Sequence, residues 1–172
     1  MSDIVHRDAV EGDAATLADL FERSFTDTFG HLYKPEDLQA FLSRLTPEAW
    51  RKELADPSLA IRIVEADGEP AALAKVGPVG LPVEPRRPAI ELRQLYVLEP
   101  WKGLGIAHQL MRWALGLAKA QRASEMYLSV YVDNHRARRF YERYGFEYVG
   151  PYSFMVGDHA DEDHIMRLVL ED

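Results

Sequence analysis

The stretch WKGLGIAHQLM, residues 101–111, decides how the rest of the chain is read. Two glycines flank one leucine, and an amphipathic pattern begins directly behind them. Glycine inside a helix costs about 1 kcal/mol relative to alanine. Gly103 and Gly105 stand ahead of the helix instead, where they free the backbone for turns that other residues resist. A glycine turn feeding a helix N-terminus gathers backbone N–H groups on one spot, and the helix dipole favours an anion there. Lys102, Gly103, Leu104, Gly105, Ile106 and Ala107 are therefore candidates to cradle a phosphate group. The spacing is not that of a dinucleotide fingerprint, because His108 stands where its third glycine belongs, and the Gly-Lys-Ser/Thr of a P-loop is absent. Taken alone, the turn is equally a tight corner between a strand and a helix.

Upstream, IELRQLYVL (90–98) reads as a buried strand. Its apolar parity changes between Ile90/Leu92 and Leu95/Val97, which a one-residue bulge would produce. Downstream, Ile106, Leu110, Trp113 and Leu117 recur at helical spacing, predicting a helix to about Ala123, and MYLSVYV (126–132) predicts the next strand. This is a βαβ unit whose turn lies at the carboxyl end of a strand, where open α/β sheets bind ligands. NHRARRFYERYG (134–145) predicts a short helix capped by Asn134, lined by Ala137, Phe140, Tyr141 and Tyr144, and ended by Gly145.

Further out, IVHR (4–7) predicts a strand, and Asp13 is placed to cap a helix to about Arg23. Pro35 and Pro47 open two short helices. Residues 59–77 predict two strands joined at Asp67-Gly68. The four prolines of 78–88 predict a surface loop, the most mobile segment of the chain. FEYVGPYSFMV and DHIMRLVL predict a closing strand pair, with DHADEDH (158–164) as the hairpin loop between them. That acidic segment lacks zinc-motif spacing, and no metal is expected. The sum is one α/β domain over residues 1–172, an α+β arrangement of a mixed sheet with helices.

The 172 residues carry a formal charge of 20 − 28 = −8 and no cysteine. Disulfides, zinc–thiolate sites and a cysteine nucleophile are excluded, which fits a cytoplasmic address. No apolar run approaches the ~20 residues of a membrane span, and the start has no leader-like apolar stretch. An acidic domain is a poor general binder of nucleic acid and a better host for a cationic small molecule. The basic run HRARRFYER reads as a solvated helix face.

Lys102-Gly103-Leu104-Gly105-Ile106-Ala107 and NHRARRFYERYGF together resemble the two signatures of the GCN5-related N-acetyltransferase (GNAT) superfamily. These are Arg/Gln-x-x-Gly-x-Gly/Ala after a bulged strand and Asn-x-x-Ala-x-x-Phe-Tyr-x-x-x-Gly-Phe. The first is met with lysine in place of arginine or glutamine, the second in full. The resemblance implies a mostly antiparallel twisted sheet flanked by helices, with acetyl-CoA as cosubstrate. It implies a diphosphate on the N–H groups of 103–107 and a pantetheine arm along the bulged strand near Leu95, Tyr96 and Val97. Asn134 would touch that arm, and Phe140 counts on the same side. An amine acceptor would attack directly, with Tyr141 as the general acid. Glu91 is the candidate base, acting directly or through water, against the plainer possibility of an exposed strand carboxylate.

ERSFTDTFGHLYKPEDL and GPYSFMVGDHADEDHIM further resemble bacterial polyamine N-acetyltransferases of the PaiA type. The implied acceptor is a polyamine such as spermidine or spermine, and the implied contacts are Asp27, Phe29, Tyr33 and Ser153. The partner expected is a small-molecule amine, with no nucleic acid or membrane, on a monomer or homodimer. Rival acceptors are a protein N-terminus, an amino acid or an antibiotic amine. A non-catalytic acyl-CoA sensor is the rival from another class, and Tyr141 speaks against it, because a pure binder needs no acid there.

Overall fold

The computed structural model describes residues 1–170. Its elements are β1 (Ile4–Asp8), α1 (Ala14–Phe29), α2 (Pro35–Leu42), α3 (Pro47–Ala55), β2 (Ala60–Ala66), β3 (Glu69–Gly77), β4 (Ala89–Val97), α4 (Ile106–Ala120), β5 (Glu125–Tyr131), α5 (His135–Arg143), β6 (Glu147–Val156) and β7 (His159–Val169). The seven strands form one sheet in the order β1-β2-β3-β4-β5-β7-β6. Every pairing is antiparallel except β4 with β5. Those two strands are joined through α4, the kind of crossover that parallel neighbours require.

Two features of β4 create the site. Lys75 of β3 faces Gln94 while Val76 faces Leu92, so Arg93 is an extra residue, the bulge that the change of apolar parity predicts. Pairing of β4 with β5 covers only Ala89–Glu91 against Glu125–Tyr127. Beyond that the strands splay, and a gap opens inside the sheet.

Helices cover both faces. On one, Leu17, Phe21 and Phe25 of α1 pack with Trp50 of α3 on Ile61, Ile63 and Leu73. On the other, Met111, Ala114 and Ala118 of α4 and Tyr141 of α5 pack on Val76, Leu92, Met126 and Leu128. Removing a buried aromatic such as Trp50 to alanine costs ~3–5 kcal/mol in such a core.

Several local expectations need correction. Helix α1 continues past Arg23 to Phe29, because Leu17, Phe21, Phe25 and Phe29 extend one i, i+4 stripe whose rings touch at 5.6 and 5.2 Å. Asp13 does not cap it by a side-chain hydrogen bond. Its carboxylate is held by Arg7 (2.8 and 2.9 Å) and accepts from the Val10 N–H (2.7 Å), closing a turn ahead of the helix. Helix α4 ends at Ala120 rather than Ala123, and Arg122 turns the chain with φ 57°. DHADEDH is not a loop. The turn shrinks to Gly157-Asp158, and β7 starts at His159, with Asp161 and Asp163 buried and Ala160 and Glu162 exposed.

Two contacts pin loops beside the gap. The segment 78–81, expected to be mobile, is tied to β4: Gly80 N–H donates to Glu91 Oε1 (2.9 Å) and Arg93 Nη2 donates to Pro78 O (2.6 Å). Leu81 is buried against Tyr127 and Ile165. Across the molecule, Asp158 N–H donates to Asp37 Oδ1 (3.0 Å), docking α2 on the β6–β7 turn.

Candidate active site

The gap between β4 and β5 opens into a cavity of about 410 Å³. Its two ends are built from different materials.

At one end the backbone does most of the work. Leu95, Tyr96 and Val97 line the wall past the bulge, with no strand paired on their β5 side among the described residues. The chain then enters the glycine turn, where Gly103 and Gly105 have φ of 84° and 81°, a region that side-chain-bearing residues resist. A Cβ built on either glycine meets nothing within 4 Å, so conformation and open space, not packing, ask for glycine there. Gln109 N–H is the first in α4 to reach a backbone acceptor, Gly105 O at 3.1 Å. The N–H groups of residues 103–108 find none among the described residues, which is the arrangement that favours an anion. Lys102, Arg136 and Arg143 line the same end and add positive charge. Lys102 is also paired with Glu99 at 2.8 Å.

Asn134 both lines the cavity and caps α5, accepting from Ala137 N–H at 3.3 Å. Phe140 lines it with its ring against His108 (5.0 Å) and Tyr141 (5.4 Å). Tyr141 is 9% exposed, and burial pushes its phenol up to about 12, so it stays protonated at neutral pH. Tyr96 beside it is raised as well, chiefly by burial.

At the other end, side chains from distant segments converge. Ser24, Phe25, Thr28 and Phe29 come from α1, Tyr33 from the turn after it, Tyr131 from β5, Phe154 from β6, and Asp161 and Asp163 from β7. Phe29 meets Tyr131 edge-on at 6.0 Å, and Phe25 stacks on Tyr33 at 5.9 Å. Tyr33 Oη donates to Asp161 Oδ2, and His159 Nε2 lies 3.2 Å from Asp161 Oδ1. Burial, with the Asp161 hydrogen bond, raises the Tyr33 phenol. Asp163 is 7% exposed and makes no side-chain hydrogen bond among the described residues. Burial first, and then the nearby Asp161 charge, pushes its carboxyl up to about 7.

Of the residues singled out from sequence, Leu95, Tyr96, Val97, Lys102, Gly103, Gly105, Ile106, Ala107, Asn134, Phe140, Tyr141, Phe29 and Tyr33 line this one cavity. Leu104 does not; it turns outward, 49% exposed. Glu91 is buried but off the cavity, its carboxylate committed to the Gly80 amide. Asp27 and Ser153 are exposed and also off it. Phe154, next to Ser153, is the β6 residue that lines the cavity, because neighbours on a strand point to opposite faces. The sequence reading missed Ser24, Thr28, Tyr131, Asp161 and Asp163. Strand alternation in HADED, starting directly after a Gly-Asp turn, was the signal for the last two.

The sequence model described as the acetyltransferase (GNAT) family matches residues 15–146. An uncharacterized N-acetyltransferase of Mycobacterium tuberculosis is 30% identical over 155 residues, 90% of this chain and 96% of that protein. The L-amino acid N-acetyltransferase AaaT of Escherichia coli is 30% identical over 126 residues, covering 69% and 75%. Among solved structures, the PaiA N-acetyltransferase of Thermoplasma acidophilum, in complex with coenzyme A, superposes with TM-score 0.77 at 18% identity, covering 98% of this chain and 99% of that one. The yncA acetyltransferase of Salmonella typhimurium, with acetyl-CoA, gives 0.71 at 17%, covering 98% and 95%. The spermidine N-acetyltransferase SpeG of Vibrio cholerae gives 0.67 at 18%, covering 96% and 93%. These structures share the fold. Among the described residues no helix is long and apolar enough to cross a membrane, and no three His, Asp or Glu side chains converge as metal ligands.

Proposed function

The chain belongs to the acetyltransferase (GNAT) family, and from that premise we propose that it moves an acetyl group from acetyl-CoA to a primary amine of a small cationic molecule, with a polyamine as first candidate. One observation carries this reading: a single cavity joins an N–H cradle with a basic rim to an aromatic end holding two carboxylates. The residues present fit acetyl-CoA. The free N–H groups of 103–108 with Lys102, Arg136 and Arg143 suit a diphosphate, and the unpaired side of β4 at Leu95–Val97 suits the amide-bearing arm and the acyl oxygen. When bound, acetyl-CoA supplies an electrophilic thioester carbonyl and a thiolate leaving group.

Tyr141 is the acid in this proposal. A phenol at about 12 is protonated at neutral pH and stands ready to donate. Full transfer to a thiolate of ordinary pKa ~8.5 is uphill by about 5 kcal/mol. Tyr141 therefore stabilises the departing sulfur first by its hydrogen bond, and the proton follows as charge builds.

The acceptor end favours a cation. Ser24, Phe25, Thr28, Phe29, Tyr33, Tyr131, Phe154, Asp161 and Asp163 include two acids and no lysine or arginine. The AaaT relative supports a second reading, an α-amino acid acceptor. Its carboxylate would then have to lie near Asp161 and Asp163, at a repulsive cost. The relation in fold to PaiA and SpeG supports the polyamine.

The test is release of free CoA thiol from acetyl-CoA against spermidine, spermine, putrescine, lysine, an aminoglycoside and a short peptide. Saturable release with the polyamines is the expected result. Release only with lysine transfers the assignment to an amino acid acceptor. Silence across the panel with tight acetyl-CoA binding favours an acyl-CoA sensor.

A further inference from the structure

We propose that Asp163 takes the proton from the incoming ammonium group, and that Asp161 beside it is the fixed carboxylate that holds that group in place. The proposal rests on the amine-acceptor reading and adds to it the base, a role for which Glu91 is badly placed.

The two aspartates share one face of β7, two residues apart, and both line the cavity. Their situations differ. Asp161 is saturated: the Tyr33 hydroxyl donates to one oxygen and His159 Nε2 lies against the other. It is oriented and committed, suited to attract a cation but not to swing. Asp163 is 7% exposed, its carboxylate makes no hydrogen bond among the described residues, and it fronts the cavity. A buried carboxyl left without a donor is costly unless something supplies one. An ammonium group, with three N–H donors, is the complement it lacks.

The groups around Asp163 are aromatic or acidic. Its cross-strand partners are Tyr131 on β5 and Tyr152 on β6. Tyr96 of β4 and Tyr33 after α1 complete the titratable neighbours, with Asp161 and its bound His159 on β7 itself. None of the tyrosines brings positive charge, and of the four lysine and arginine residues that line the cavity, Arg93 donates to Pro78 O, Lys102 pairs with Glu99, and none makes an ion pair with Asp163 among the described residues. A cationic amine can therefore reach Asp163 without displacing a protein cation from it. The aromatic rings of Phe25, Phe29, Tyr33 and Phe154 enclose it, surfaces that tolerate an ammonium through their π-faces.

The chemistry balances as follows. Asp163 removes one proton from the ammonium and passes it to water in the cavity. The freed nitrogen lone pair attacks the acyl carbon, so a C–N bond forms while the C–S bond breaks and sulfur keeps the bonding pair. Tyr141 gives its phenolic proton to that sulfur. The nitrogen's second proton returns to the Tyr141 oxygen, and one proton in all is released to solvent. A base near 7 suits this duty at neutral pH, being half free to accept and a strong enough acceptor to matter.

The experiment is kcat and kcat/KM for thiol release between pH 5.5 and 9, with spermidine and the rest of the amine panel. It compares the native enzyme with Asp163→Asn, Asp163→Glu and Asp161→Asn. CoA affinity is measured for each by calorimetry. The native enzyme should show activity rising through a limb near pH 7 to a plateau. Asp163→Asn should lose at least ~100-fold in kcat with CoA affinity within about twofold. Its remaining rate should climb without a plateau to pH 9, tracking only the free amine of pKa ~10.4. Asp163→Glu should restore the limb in part. Asp161→Asn should keep a limb, moved to lower pH by loss of the neighbouring charge, and raise KM. An Asp163→Asn enzyme that keeps the limb and more than half of kcat overturns the proposal while leaving the acceptor reading standing. A native enzyme silent toward every amine overturns the acceptor reading, and the proposal falls with it.

Discussion

The two ends of the cavity differ in what makes them. The glycine-turn end is a property of the backbone: a bulge, a strand edge without a partner, two glycines at positive φ, and the N-terminus of α4. The aromatic, acidic end is a property of side chains, drawn from α1, the turn after it, β5, β6 and β7. Backbone geometry is specified by a few residues close together in the chain. A side-chain pocket is specified by the packing of segments more than a hundred residues apart, as Tyr33 and Asp161 show by their direct hydrogen bond. The first kind of site is robust to exchange of most side chains; the second can be retuned one residue at a time.

That contrast can be broken most forcefully at Gly105. Gly105→Glu puts a strained residue at φ 81° and a carboxylate beside the N–H cradle. CoA affinity should fall ~1,000-fold, about 4 kcal/mol, by calorimetry, with the far end's ring contacts intact. Next in size, Tyr141→Phe keeps the ring in its core position but removes the donor. kcat should drop ~100-fold while CoA affinity changes less than twofold; unchanged kcat would remove Tyr141 from the chemistry.

A smaller effect bears on stability. The Asp163 carboxyl stands near 7 in the folded chain against an ordinary value of 3.8. Between about pH 4 and 7 the folded state holds a proton that the unfolded chain has released, so stability is greatest below that window and is lost as pH rises through it. Asp163→Asn removes the penalty. Discounted for water in the cavity, its Tm should exceed the native one by roughly 2–4 °C at pH 8 and match it at pH 4, by calorimetric scans. A variant gaining stability while losing turnover would mark the acceptor end as strained for function. The least effect is expected at Asp27 and Ser153, both exposed and off the cavity. Alanine at either should leave kcat and the amine KM within about twofold; a larger change would extend the acceptor end beyond its present walls.

Legibility from sequence followed the same division. Gly103, Gly105 and the parity change around Arg93 announce backbone conformation directly, and the βαβ unit with its glycine turn is legible in the sequence. The hairpin at Asp67-Gly68 was equally plain, since both residues take the positive φ such a turn requires. Glu91 lies off the cavity with its carboxylate on the Gly80 amide, and strand position alone does not say whether a side chain meets the gap or the loop beyond it. Asp27 and Ser153 each lie a single step along an element from a residue that lines the cavity, Thr28 and Phe154. Asp161 and Asp163 were hidden by composition, because six polar or charged residues in seven suggest a solvated loop. Only the alternation along a strand, and a partner at Tyr33 far away in sequence, turns two of them into a buried pair.

The extra residue at Arg93 has an evolutionary corollary. It acts as a spacer, setting which of the next side chains look into the gap, while its own side chain tethers Pro78. Its identity is thus cheap to change and its presence is not. Losing one codon there would invert Leu95, Tyr96 and Val97 together and close the wall that β4 offers. Along this strand, descent can drift by substitution but is nearly barred from changing length.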